Sequence, residues 1–420
     1  MAYFWQNKKL EKESRAGPSS FLGGYFFLLI IFLLIWSWRF NLVMRDRKEP
    51  GKSSEQVAVE GIIWEEPRIF YSTQNFWLKG YQIETLSDHS LGVGDRVALV
   101  GKATCQPIGR FQENCLIHYP EISIKKNDCW SEFIKVVVRL RKKLIVSLER
   151  VLPSEAASLL TGIVWGNQGQ FSKTFYQDMK NSGLLHVVVA SGANVMSLVG
   201  LLKKGTLFLG RRLSILITLP VVILYGLVVG TEPPIVRAVI MSGFLLVSQL
   251  FGRQASPLRS LFLTGGTMML FDPLLFADIS FQLSFGATLG ILLFSRKLKN
   301  LLGWSDLATT LSAQTVTLPI LALHFGQLSP LSFLSNAFLL WLVEPLMLWG
   351  LLLTFLGLIN RFLASLIGFF LWLPLQVFIW GGHFWAQILP NIGVSLVLAV
   401  SSFALAPLLW LLLSSVKDDK

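Results

Sequence analysis

From residue 184 onward the chain is a succession of apolar runs separated by short polar turns: 184–202, 213–229, 235–251, 258–271, 279–294, 307–323, 331–359, 362–380 and 392–413. Most approach the ~20 residues a helix needs to cross hydrocarbon. Several are shorter or carry Gly and Pro, which predicts broken or re-entrant segments among them. Another apolar run, 21–40, stands ahead of these, with Trp36 and Trp38 near its end where an interface would fall. The pattern changes over residues 56–126. Apolar and polar residues alternate in Val57–Trp64 and again in Phe76–Ile83, and Gly92, Gly94 and Asp95 lead into Arg96-Val97-Ala98-Leu99-Val100. Period two with such turns predicts short strands curling into a small β-barrel. In 129–152, Arg139, Arg141, Lys142 and Lys143 lie among valines and leucines. That is an amphipathic basic helix, expected on the membrane surface, with an ordinary solvent-facing helix as the alternative.

Charge orders the runs. Lys203, Lys204, Arg211 and Arg212 fill one loop, Arg253 and Arg259 another, and Arg296, Lys297 and Lys299 a third; Arg361, Lys417 and Lys420 fall on the same side. The intervening turns 231–234, 272–278, 324–330 and 381–390 hold no Lys or Arg. The positive-inside rule makes the first set cytoplasmic. Both tails, 1–20 and 415–420, are then cytoplasmic and the barrel is outside. The linker with Arg45, Arg47, Lys48 and Lys52 breaks the rule locally, but a folded domain translocates largely regardless of charge.

Composition narrows the class. With 53% hydrophobic and 15% charged residues, the 420-residue chain is a polytopic membrane protein and not a soluble enzyme. The net charge of +12 suits lipid headgroups or nucleic acid, and topogenic Lys and Arg account for it equally well. The first apolar run is too long for a cleavable signal peptide and lacks an A-x-A site. Cys105, Cys115 and Cys129 lie close together, which in an oxidising compartment permits one disulfide and one free thiol. Cys105 with Cys115 across the Gly109 turn, a pairing through Cys129, or no bond all remain open.

Polar chemistry concentrates in Gly183–Asn194, where His186, Ser191 and Asn194 sit in an apolar stretch between Gly183 and Gly192. Such groups are costly in hydrocarbon without partners, so the stretch reads as an interrupted helix or the lining of a polar path. Arg237 stands one turn inside a run, at its outer end, away from every other Lys and Arg of the spanning region. It either faces the path and meets phosphates or is clamped by an acid such as Glu232, Asp272 or Asp278. Gln282, Gln314, Asn336 and Glu344 line a hydrated path or join helices. Asp278, like Asp272, fits a helix N-cap when taken singly. His186 and Ser191 are five residues apart, on different helical faces, with no third group, which argues against a hydrolase. None of the five histidines has metal-hydrolase spacing, and no P-loop occurs, so no metal, cofactor or enzymatic activity is expected. On the barrel, Trp64 and Trp77 with Arg68, Lys79, Arg96 and Arg110 suit single-strand binding by stacking and phosphate contact. Alternation places about half of the barrel aromatics, which include Phe70, Tyr71, Phe76 and Tyr81, in plain core.

Four motifs carry a resemblance. Residues 183–194 are similar to the H-L-L-A-I-S-G-L-H segment of the ComEC family, inner-membrane DNA channels of bacterial competence. Pro233-Pro234-Ile235-Val236-Arg237-Ala238 resembles its P-S-V-x-R-A. Asp272-Pro273 with Asp278-Ile279-Ser280-Phe281-Gln282-Leu283-Ser284-Phe285 resembles its D-P…D-x-x-F-Q-L-S-F. His324-Phe325-Gly326-Gln327-Leu328-Ser329-Pro330 with Asn336 resembles its H-F-G-Q-x-S-P…N. Asn194 departs from the pattern, standing where the family often has a second histidine, which puts a proton-relay or metal role there in doubt. The similarity runs from about residue 57 to 345.

The resemblance implies a mainly α-helical polytopic membrane bundle with a small extracytoplasmic OB-like β-barrel, in the bacterial cytoplasmic membrane. The expected order is a tail (1–20), a first span (21–40), the barrel (56–126), the basic helix (129–152), a competence-type multi-span domain (153–414) and a second tail (415–420). It implies a channel for transforming DNA, as a single strand. His186, Ser191, Asn194, Arg237, Asp278, Gln282, Gln314, His324, Gln327 and Asn336 are its path candidates. The family's frequent metallo-β-lactamase-like domain is not found in these residues, so a separate nuclease, a cytoplasmic helicase and DNA-receptor proteins are expected partners beside DNA and the bilayer; a homo-oligomer is compatible. A transporter of another anionic polymer or solute, and a non-conducting assembly scaffold, are the alternatives.

Overall fold

The computed structural model describes residues 31–43, 56–63, 67–70, 73–78, 81–86, 91–107, 113–125, 128–167, 171–188, 191–230, 232–253, 256–325, 327–328, 332–388 and 392–393. Expectations for both tails, for the Gly109 turn, for Trp64, Lys79 and Arg110, and for nearly all of 392–413 lie outside the described residues. The chain divides into two units, one of residues 1–49 with 265–276 and one of 50–264 with 277–420.

In the smaller unit, helix α1 (Ile31–Val43) is the described part of the first apolar run. Its Trp36 and Phe40 stack at 5.3 Å and both meet the ring of Phe276, and the Arg39 guanidinium donates to the Phe271 carbonyl at 3.1 Å.

The larger unit opens with a curled β half-barrel. Its strands are β1 (Gln56–Ile62), β2 (Arg68–Phe70), β3 (Thr73–Leu78), β4 (Tyr81–Leu86), β5 (Arg96–Pro107), β6 (Glu113–His118) and β7 (Glu121–Ile124). The order is β1-β5-β6-β4-β3-β2, with β7 also on β5. The 12-residue β5 is the spine: its first half pairs with β1 and β7, its second half with β6. Gly101 marks the change of partner. A Cβ there would meet Ile117 at 2.7 Å and the Pro120 backbone at 3.2 Å, so the sheet folds over itself only with glycine at that position. Alternation sorts the side chains: Gln74, Phe76 and Leu78 point in, Trp77 out. Val59, Ile63, Ile83, Val97, Leu99 and Ile117 complete the core.

The helices that follow are α2 (Cys129–Glu149), α3 (Ser154–Trp165), α4 (Lys173–Asn181), α5 (Leu185–Val188), α6 (Gly192–Thr206), α7 (Arg211–Val229), α8 (Pro233–Leu250), α9 (Pro257–Phe271), α10 (Ile279–Leu302), α11 (Ser305–Phe325), α12 (Ser332–Ile359) and α13 (Arg361–Ile388). Among the described residues five are long and apolar enough to cross a membrane: α7, α8, α10, Phe333–Ile359 of α12, and α13. With the barrel they give the expected class, a helical membrane bundle carrying an OB-like domain.

Several expected runs take another form. The run 184–202 is not one helix: four-residue α5 and then α6 replace it, after a turn at Gly183 with φ 74°. The run 258–271 is α9, only 15 residues long. The run 307–323 is the 21-residue α11, diluted by Thr309, Thr310, Ser312, Thr315 and Thr317. Where a final span was expected to begin, Ile392–Gly393 forms strand β9 and pairs with β8, Gln327–Leu328. Helices α3 and α4 have no counterpart among the expected runs. Yet α3 is the most enclosed element, buried at every position from Ala156 to Trp165.

Candidate functional site

The site is built around two helix ends inside the bundle. The first is the carboxyl end of α3. Gly166, in the left-handed region at φ 70°, stops the helix, and its N–H bonds the Gly162 carbonyl at 3.0 Å. The next three carbonyls have no partner within the helix. Each takes a side-chain donor from a different helix. Asn194 Nδ2 of α6 reaches Ile163 O at 2.6 Å, the Tyr225 hydroxyl of α7 reaches Val164 O at 2.8 Å, and Arg141 Nη2 of α2 reaches Trp165 O at 3.0 Å. The cation of Arg141 also suits the negative end of the helix dipole. The Trp165 indole N–H donates to Thr354 Oγ1 of α12 at 3.3 Å. A helix that ends inside the protein is held open by four neighbours. Gly162 lets the chain return against it: a Cβ there would press on the Val188 carbonyl of α5.

The second end is the amino end of α6. Ser191 precedes it; the Asn194 amide N–H donates to Ser191 O at 3.1 Å, and Ser191 Oγ donates to Asn194 Oδ1 at 3.3 Å. Over this end lies Arg237 of α8. A Cβ on Gly192 would stand 2.7 Å from its Nη2 and 3.3 Å from the Pro234 carbonyl. Arg237 is 9% exposed, and its Nε–H donates to Ser284 Oγ of α10 at 2.8 Å. None of the acids considered as a clamp does that work: Asp278 caps α10 through the Phe281 N–H at 2.7 Å, Asp272 accepts from the Leu274 N–H, and among the described residues no carboxylate forms an ion pair with Arg237. A buried guanidinium held by one neutral hydroxyl, against a helix end that is itself positive, is an arrangement suited to an anion.

The structure therefore brings Ser191, Asn194 and Arg237 together, and adds Ser284, which sequence reasoning passed over although it lies in a quoted motif. His186 is exposed on α5, and no hydrogen bond joins it to Ser191 among the described residues. His324 is exposed at the end of α11 and its Nδ1 lies 2.8 Å from Ile320 O. Gln282 is half-buried on α10 and Gln314 lies on α11. Gln327 enters the short strand β8. Asn336 is 2% exposed, and its Oδ1 has no hydrogen-bond partner among the described residues. Its neighbour Ser335 donates to Ser182 O at 2.6 Å, tying α12 to the turn before α5. No trio of metal-ligating side chains occurs among the described residues.

Outside this cluster, Asp178 of α4 and His383 of α13 approach to 2.6 Å, a pair 205 residues apart that no local pattern announces. On the barrel, Trp77 is 43% exposed. Arg96 is engaged by Glu60 at 3.0 Å and Asp128 at 3.3 Å, and Arg68 lies on β2.

A family model described as competence protein matches residues 163–416. ComE operon protein 3 of Bacillus subtilis (strain 168) is 28% identical over 231 residues, 52% of this chain and 29% of that protein. An uncharacterized protein of Aquifex aeolicus (strain VF5) is 34% identical over 174 residues, 41% of each chain. The aligned stretches thus span less than half the length of either relative. No solved structure matches.

Proposed function

Because the chain belongs to the competence protein family, we propose that it passes transforming DNA, as a single strand, across the bacterial cytoplasmic membrane during natural competence. Arg237 carries the reading. It is a buried cation to which no acid is paired among the described residues, at the amino end of α6, in a part of the chain otherwise rich in apolar spans. Such a charge is costly in a membrane unless water or an anion meets it. A phosphate does so well, because the planar fork holds two oxygens at once. Ser191, Asn194 and Ser284 set the geometry around it. In this reading the barrel stands outside and collects the strand, and both termini lie in the cytoplasm. A helicase, a nuclease and DNA-receptor proteins work with it.

The test is entry of labelled DNA in a deletion strain complemented with Arg237→Ala or Arg237→Lys. We expect the alanine variant to accumulate and melt like wild type while entry falls at least tenfold, with lysine intermediate. Loss of folded protein in step with loss of entry would return Arg237 to a structural role. Undiminished DNA entry in the deletion strain would favour transport of a different anion, or a scaffold. Reporter fusions after residues 126 and 420 check the orientation: the first is expected outside and the second inside.

A further inference from the structure

Helix α2 was expected on the membrane surface because of its charge. Its contacts point elsewhere. Its amino end is fixed to the barrel. Asp128 caps it through the Ser131 N–H at 2.8 Å and pairs with Arg96, and Lys135 pairs with Asp95 at 2.7 Å. Just below, Trp130, Phe133, Ile134 and Val137 line a cavity with Leu227, Val228 and Gly230, at the end of α7 remote from Arg211 and Arg212. At its other end, Ser147 Oγ donates to Thr354 O at 3.1 Å and packs on Gly357, and Val151 packs on Gly368. Those residues lie in the last turns of α12 and the first turns of α13, beside Arg361. Arg211, Arg212 and Arg361 mark one side of the membrane. One end of α2 thus touches the side away from them and the other end the side that carries them. Its 21 residues extend about 31 Å, the thickness of the hydrocarbon.

Ile134, Val137, Leu144, Ile145 and Leu148 of α2 are buried against the bundle, while Arg139, Lys142 and Lys143 are exposed beside Val136, Leu140 and Val146. Arg139 is the midpoint, about 15 Å from either end, farther than a side chain snorkels. Lys143 follows it one turn later on the same face. Among the described residues neither is in an ion pair; the Arg139 Nε–H donates only to Lys135 O at 3.3 Å. Cations at this depth do not face lipid.

We propose that α2 crosses the membrane and that Arg139 and Lys143 on its exposed stripe contact the phosphates of the passing DNA strand in a hydrated route. The crossing stands on the contacts and on the side that Arg211, Arg212 and Arg361 mark; the occupant rests on the function proposed above and on charge complementarity.

Two measurements separate these claims. The free thiol of Cys129 is exposed at the amino end of α2. In intact cells an impermeant maleimide should label it. Arg150→Cys, in a Cys129→Ser background, should be labelled only after permeabilisation. Labelling of both positions from the same side would overturn the crossing. For the occupant, Lys143→Cys in the same background is modified in place with thiosulfonates of opposite charge. A cationic adduct should restore DNA entry to near wild type and an anionic adduct should lower it at least tenfold, in the same folded protein. Equal entry with both adducts, or no reaction with either reagent, would overturn the phosphate contact. Absence of DNA entry in the unsubstituted chain would defeat the proposed function and leave the labelling result standing.

Discussion

The side-chain amide of Asn194 donates to the main-chain carbonyl of Ile163 at 2.6 Å, across two helices and 31 residues of sequence. Asn194 is 3% exposed, so water cannot take over if the amide is removed. An unsatisfied buried carbonyl costs about 1–3 kcal/mol. Asn194→Ala should therefore lower thermal stability in detergent by about that amount. Asn194→Asp should lower it more, since it sets an acceptor against an acceptor. Unchanged melting of both variants would mean that the carboxyl end of α3 is satisfied in some other way.

This contact shows where sequence reading succeeds and where it stops. The polar, glycine-flanked stretch from Gly183 to Asn194 announced an interrupted helix, because hydroxyl and amide groups in an apolar run need partners. What it could not announce was the partner. Ile163 lies in a 12-residue helix too short to register as a span, and its role is a main-chain carbonyl that any residue would supply. The strands of the barrel were legible because alternation fixes faces locally, with Phe76 in and Trp77 out. The contacts of α2 with the barrel at one end and with α12 and α13 at the other were not, since Arg139, Arg141, Lys142 and Lys143 dilute its apolar face below what marks a span. Asp178 and His383 share no local pattern at all.

Cys105 of β5 and Cys115 of β6 are register partners, and their sulfurs are joined, leaving Cys129 free. Peptide mapping of non-reduced protein should find the 105–115 bridge and alkylation at Cys129 only. Three alkylated cysteines in mature protein would reject the bond and withdraw its support for an oxidising location.

Acid should loosen the start of α2. The Ser131 N–H donates to the Asp128 carboxylate and holds it below its ordinary value of 3.8; partial desolvation opposes this, and Arg96 adds to the lowering. A group whose pKa is lower in the folded state stabilises that state above its ordinary value and ceases to do so as pH falls through the lowered one. Asp128→Asn keeps a capping oxygen but cannot titrate there. The melting difference between wild type and this variant should hold steady near neutrality and shrink below pH 3.8. A constant difference down to pH 3 would remove Asp128 from the account.

Gly192 and Arg237 should be coupled. A methyl on Gly192 would fall 2.7 Å from Arg237 Nη2, and 3.3 Å from both the Pro234 carbonyl and the Ala238 Cβ. The last two contacts yield only if α6 and α8 move apart, whereas the first yields if the fork turns away. Overpacking of this kind costs about 1–3 kcal/mol. Arg237→Lys removes the fork and with it the tightest of the three contacts. The double variant Gly192→Ala/Arg237→Lys should thus be less destabilised than the sum of its parts, by about 0.5 kcal/mol or more, as for residues in direct contact. DNA entry should fall in Gly192→Ala even at temperatures where the protein is fully folded, because the proposed phosphate contact requires the fork in its place. Strict additivity in melting, together with normal entry in Gly192→Ala, would show that the guanidinium does not depend on its seat over the first turn of α6.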